Sequence, residues 1–171
     1  MHASTKEVNH GRATEARQYL TFTLGGEQFA VGTLTVKEII EYGQLTGVPM
    51  MPPSIRGVIN LRGAVVPVID LGARFGSRHT EVGRRTCIVI LEVEHADEQQ
   101  VIGVLVDAVN EVLEISPAEI EPSPTFGAHI RTDFILGMGK VGNRVVILLD
   151  IGRVLSVDEL AAMTQVLGTD E

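Results

Sequence analysis

The chain has 171 residues, a formal net charge of −8, 44% hydrophobic residues, 4% aromatics and no Trp. That length suits one domain or two small, closely packed ones with a real core, and the acidic balance excludes a broad phosphate-binding surface, so nucleic acid is not an expected partner. An interior poor in aromatics must be built from Val, Ile and Leu, which favours strands.

Residues 1–18 are polar and without period and read as an N-terminal tail. They lack the apolar centre of a signal peptide, and no apolar run in the chain approaches the roughly 20 residues that span a bilayer. The expectation is a soluble, cytoplasmic protein without direct membrane insertion. YLTFTL from Tyr19 to Leu24, Gly25-Gly26 and then EQFAVG read as a first hairpin. In TLTVKEIIEY, Val36, Ile39 and Ile40 share a helical face while Lys37, Glu38 and Glu41 point away, which predicts a short amphipathic helix capped by Thr33 or Thr35. Gly43 to Ser54 holds three prolines and reads as a connection around a short strand at Thr46 to Pro49.

The stretch Ile55 to Leu71, IRGVINLRGAVVPVIDL, is two apolar runs joined through Arg62 and Gly63, a hairpin with a tight turn. Ala64 to Ile69 does not alternate, so both faces of that strand are expected to be covered. Asp70 is placed to cap a helical turn over Leu71 to Phe75. The polar, glycine-punctuated segment Gly76 to Arg85 marks the boundary between two halves, about 19–82 and 83–155. RRTCIVILEVE and QVIGVLVDAVNEVLEI read as long strands around an acidic loop, His95 to Gln99, and FILGMGKVGNRVVILLDI as a hairpin turning near Gly142 and Asn143. Ser156 and Glu159 form a capping-box pattern that opens a C-terminal helix, leaving 166–171 as a tail.

The two halves are related. Ile135, Gly137, Val145, Val146, Asp150 and Gly152 match Ile55, Gly57, Val65, Val66, Asp70 and Gly72 at an offset of 80. Upstream, VKEIIE at Val36 to Glu41 resembles VNEVLE at Val109 to Glu114, and Phe29 and Val31 match Ile102 and Val104, at an offset of 73. Two β units of roughly 65 to 70 residues would each be marginal alone and would supply each other's missing burial.

No catalytic site assembles from the sequence. GMGKVG from Gly137 to Gly142 fits G-x-G-x-x-G, but strand-like residues follow it where a dinucleotide site requires a helix. Cys87 sits in an apolar run and reads as a buried structural thiol. The histidines, His2, His10, His79, His95 and His129, have no metal-type spacing, so no metal or cofactor is expected. Asp70 and Asp150, at equivalent points of duplicated β halves, copy the layout of an acid protease. The hydroxyl residue that such enzymes place after each Asp is replaced by Leu71 and Ile151, and helix capping explains both carboxylates more simply.

At IRGVINLRGAVVPVIDL, and also at FTLGGEQFAV with VKEI, GVLVDAVNEVLEI and ILGMGKVGNRVVILLDI, the chain resembles the CheW family of bacterial chemotaxis coupling proteins, in order and spacing, from about Tyr19 to Leu160. The resemblance implies a mainly β fold of two five-stranded SH3-like barrels packed together, with short helices and a C-terminal helix, as one module over 19–165. It implies a non-catalytic adaptor that bridges the cytoplasmic tip of a chemoreceptor to the regulatory domain of the histidine kinase CheA, or a paralogue serving a pathway other than swimming. Val36 and Glu38 fall in the family's VxE segment, and Gly57, Arg62 and Gly63 in its RGxxNLRG segment, both implicated in receptor and kinase contacts. Arg62 offers a planar, multi-donor cation suited to a carboxylate, and Gly57 suits either a contact or close backbone packing.

Overall fold

The computed structural model describes residues 16–43, 45–52, 54–75, 80–95, 97–122 and 134–154. Among them run β1 (Arg17–Leu24), β2 (Glu27–Gly32), β3 (Val36–Glu41), β4 (Ile55–Leu61), β5 (Ala64–Asp70), β6 (Cys87–His95), β7 (Glu98–Val106), β8 (Ala108–Ile115), β9 (Ile120–Glu121), β10 (Ile135–Val141) and β11 (Arg144–Leu149). Two one-turn helices, α1 (Leu71–Arg74) and α2 (Ile151–Val154), follow β5 and β11. The strands form two sheets, ordered β8-β1-β2-β11-β10-β9 and β3-β6-β7-β5-β4. The fold is mainly β with the SH3-like two-subdomain arrangement that the family resemblance implies, one sheet having six strands where five were expected.

The sheets and the sequence repeats do not coincide. β4 and β10, β5 and β11, and α1 and α2 are mates at the offset of 80, down to the same register shift between Ile55 and Gly57 and between Ile135 and Gly137. Yet β1 and β2, from the first half, pair with β8 and β11 of the second. Reciprocally, β6 and β7 pair with β3 and β5 of the first. Even the parallel seams are mates: Ala30 lies opposite Leu148, and Gly103 opposite Val68. Each half thus lends an opening hairpin to the other's sheet.

Burial follows the same symmetry. Tyr19, Ala30, Ile115, Val146 and Leu148 fill one sheet's own core, and Val68, Ile88, Ile90 and Leu105 the other's. Among the described residues the largest cluster, including Phe22, Phe29, Ile69, Leu91, Ile102 and Leu149, draws on both sheets. A shared core larger than either private one makes each sheet depend on the other for apolar burial. Phe22, Phe29, Phe75 and Phe134 form a file through it, with centroids 5.6–6.1 Å apart. At its end the Arg74 guanidinium lies 5.0 Å from the Phe134 ring centroid, and Arg74 Nε donates to the Val154 carbonyl at 2.8 Å. Positions 74 and 154 are repeat mates, so the pseudo-twofold axis passes close to this contact.

Several expectations need correction. Val36–Glu41 is a strand, not a helix: it pairs with β6, and coverage alternates, with Val36, Glu38 and Ile40 partly covered and Lys37, Ile39 and Glu41 exposed. A six-residue helix would have forfeited that ladder, and three of the six residues are β-branched. The run from Gln100 to Ile115 is not one strand. It breaks at Asp107, where the chain leaves one sheet for the other. The acidic loop is tighter than expected, since β6 reaches His95 and β7 begins at Glu98. Thr46 to Pro49 yields a single bridge, Thr46 to Val58, rather than a strand. Ala64 and Val65 are exposed, and two-sided coverage of β5 begins at Val66. Cys87 is half-exposed rather than buried. The GMGKVG segment lies in β10, with its turn at Gly142 and Asn143. The helix expected from Ser156 lies outside the described residues.

Candidate protein-interaction site

The β4–β5 hairpin turns on Arg62 and Gly63, with φ of 55° and 89°. Positive φ at both central residues is the geometry whose twist matches the flanking strands, and Asn60 supports it by accepting from the Gly63 amide through its side-chain oxygen at 2.8 Å. In the second half the position equivalent to Arg62 is Gly142, φ 60°. Arginine therefore stands where the backbone favours glycine, a local cost that points to a use for the side chain.

Arg62 forks onto Glu38, with Nη1 to Oε2 at 2.5 Å and Nη2 to Oε1 at 3.0 Å. The two residues come from β4's turn and from β3, which lie at opposite ends of the same sheet. Their ion pair bridges the seam that backbone hydrogen bonds leave open. The Arg62 side chain remains 72% exposed and that of Glu38 25%. Hydrogen bonding from Arg62 holds the Glu38 carboxyl below the usual carboxylate range, outweighing the opposing effect of burial, and the same bond raises the Arg62 guanidinium. The other sheet carries a different ion pair at the equivalent glutamate, made from the interior strand β11. Glu111 on β8, the mate of Glu38, receives Arg144 Nη2 at 3.2 Å, while Arg144 Nη1 donates to Gln28 Oε1 at 3.0 Å.

Of the expected contact residues, Glu38, Arg62 and Gly63 meet at this face; Ile39 and Val65, close by in the chain, are exposed, Ile39 on the strand face opposite Glu38. Val36 lies half-buried against the shared core. Gly57 is buried at the opposite end of β4, where a Cβ would stand 2.6 Å from the Thr46 carbonyl oxygen. Its mate Gly137 is equally tight against Ile120 and Glu121. In both halves the glycine admits a crossing connection.

Asp70 was expected to cap α1, and it accepts from the Ala73 amide at 3.3 Å. It does more. Fully buried, it also receives Arg56 Nη1 at 2.7 Å, the Thr80 amide at 2.9 Å and the Thr80 hydroxyl at 2.8 Å. Asp150 is half-exposed and accepts from the Arg153 amide at 3.4 Å. A carboxylate tied to an arginine and three other donor contacts is a structural anchor, not half of a proton-sharing pair. Sequence reasoning missed Arg56, Thr80 and Arg144. Glu111 was accessible through the offset of 73, but the mate of Arg144 is Ala64, so nothing in the repeat marks it.

A duplicated, mainly β protein with two SH3-like subdomains defines the class. Residues 18–159 match the CheW-like domain. The chain is 37% identical to the chemotaxis protein CheW of Klebsiella aerogenes over 90% of both chains. It is 32% identical to the probable chemotaxis protein CheW of Rhizobium etli, over 95% of this chain and 99% of that one. The crystal structure of the scaffolding protein TtCheW from Thermoanaerobacter tengcongensis superposes with a TM-score of 0.74 at 32% identity, covering 84% of this chain and 90% of that one. The chain belongs to the CheW family.

Proposed function

We propose that the chain is a non-catalytic adaptor that couples the cytoplasmic tip of a chemoreceptor to the regulatory domain of a CheA-type histidine kinase. It would work in the cytoplasm, at membrane-associated receptor arrays, with Val36, Glu38, Gly57, Arg62 and Gly63 as the contact segments. Family membership over 18–159 supports the role. The observation that carries the site is Arg62 itself, kept in a left-handed turn and largely exposed. Because Glu38 already fills the guanidinium fork, a partner carboxylate must compete for it or take its remaining donor edge. Gly57 would act indirectly, by setting how the connection through Thr46 lies over β4. The anchoring of Asp70 by Arg56 and Thr80 supports a role without catalysis over an acid protease. Other family relatives carry other names, such as Protein FrzA of Myxococcus xanthus, 28% identical over 90% of this chain. A paralogue serving a pathway other than swimming is the second reading. Pull-downs with kinase regulatory domain and receptor fragments test the site: Arg62→Ala should fold normally and lose at least one partner. Retention of both at normal affinity would remove Arg62 from the assignment.

A further inference from the structure

The two halves already exchange hairpins within one chain, and one of the two crossovers between sheets has the character of a hinge. β2 passes to β3, from one sheet to the other, through the turn Thr33–Thr35, which contributes no buried residue and leaves Leu34 99% exposed. The bonds that hold it are Thr35 Oγ1 to the Gly32 carbonyl at 2.9 Å, a long contact from Thr33 Oγ1 to the Gln18 carbonyl at 3.4 Å, and the Val36 amide to the Thr33 carbonyl. The mate of Leu34 is Asp107, at the second crossover. There the Asp107 amide donates to the Thr23 carbonyl at 3.0 Å and its carboxylate accepts from the Gly25 amide at 2.8 Å. One crossover is pinned and the other is nearly free.

We propose that the β1–β2 hairpin is an exchangeable element, and that a second copy of this chain is its alternative host, through opening of Thr33–Thr35. The hairpin cannot stay undocked, because Leu20, Phe22, Leu24, Phe29 and Val31 belong to the shared core and Tyr19 and Ala30 to the core of its own sheet. Docked on the β8 and β11 of a second copy, it remakes the same pairings, including the Gly25 to Asp107 bond, and gives up only the hinge contacts. The resulting dimer has twofold symmetry and carries two Glu38–Arg62 faces. The free connection spans at most about 11 Å and holds the hairpin at an effective concentration on the order of millimolar. Exchange therefore requires refolding at comparable chain concentrations or a connection too short to close.

Gln18 and Glu114 are exposed register partners on β1 and β8 and report exchange directly. One chain carries Gln18→Cys, a second, mass-tagged chain carries Glu114→Cys, and both carry Cys87→Ser. Refolded together at millimolar concentration and oxidised, they should give a disulfide-linked heterodimer at least tenfold above that of the same chains folded apart, then mixed and oxidised at the same concentration. In chains lacking residues 33–35 the heterodimer should become the main species. No excess over the premixed control in the full-length chains overturns the proposal, as does a folded, monomeric deletion chain by light scattering. Should the deletion chain not fold, the full-length comparison decides.

Discussion

Asp70→Ala gives the sharpest test of how the fold is held, because the repeat supplies its own control. The substitution strands Arg56, the Ala73 amide and two donors of Thr80 around a site with no solvent exposure. Breaking a buried pair from one side costs about 3–5 kcal/mol, loss of an N-cap about 1 kcal/mol, and an orphaned buried amide about 1–3 kcal/mol. These overlap, since one carboxylate supplies them all and Arg56, 22% exposed, can partly rehydrate. A net loss of about 4 kcal/mol is expected, a large part of the stability of a domain this size. Asp150→Ala, which among the described residues removes one long side-chain contact from a half-exposed site, should cost about 1 kcal/mol or less. Urea unfolding followed by far-UV circular dichroism measures both. Equal costs at the two positions, or Asp70→Ala within about 1 kcal/mol of wild type, would refute the anchoring role.

Gly57→Ala should destabilise by about 1–3 kcal/mol, because its Cβ would meet the Thr46 carbonyl at 2.6 Å and that backbone cannot move aside cheaply. Urea midpoints check this, and a neutral result would show that the crossing connection is loose. The Glu38 carboxyl is held low by Arg62, so the clasp is intact above the ordinary carboxylate range and is lost as pH falls through the depressed value. An NMR titration should place its midpoint below that of an exposed glutamate and return it to normal in Arg62→Ala. Neither Asp70→Asn nor Asp150→Asn should alter peptide turnover at acid pH, since none is expected from the wild type. Cleavage lost in both variants would revive the protease reading.

The duplication was legible because mates at offsets of 80 and 73 share glycines and an aspartate as well as apolar residues, and the structure returns them as paired elements with common bulges. The exchange of hairpins was not legible. Pairing partners depend on which sheet a strand joins, and nothing in the alternation of β1, β2, β6 or β7 encodes that. VKEIIE reads as a helix although its mate, VNEVLE, reads as a strand; six residues with apolar positions at 36, 39 and 40 satisfy both periods, and only the ladder to β6 decides. The chemistry of Arg62 was readable in its guanidinium, but not its partner within the chain. Glu38 reaches it only because the sheet curls until its two ends meet.

The adaptor role is tested most directly by measuring autophosphorylation of a CheA-type kinase with receptor fragments, with and without this chain. Kinase activity should come under receptor control only when the chain is added, and control should be lost with Arg62→Ala. Receptor control that is the same in the absence of the chain, or added chain that leaves the kinase unresponsive, would contradict the account.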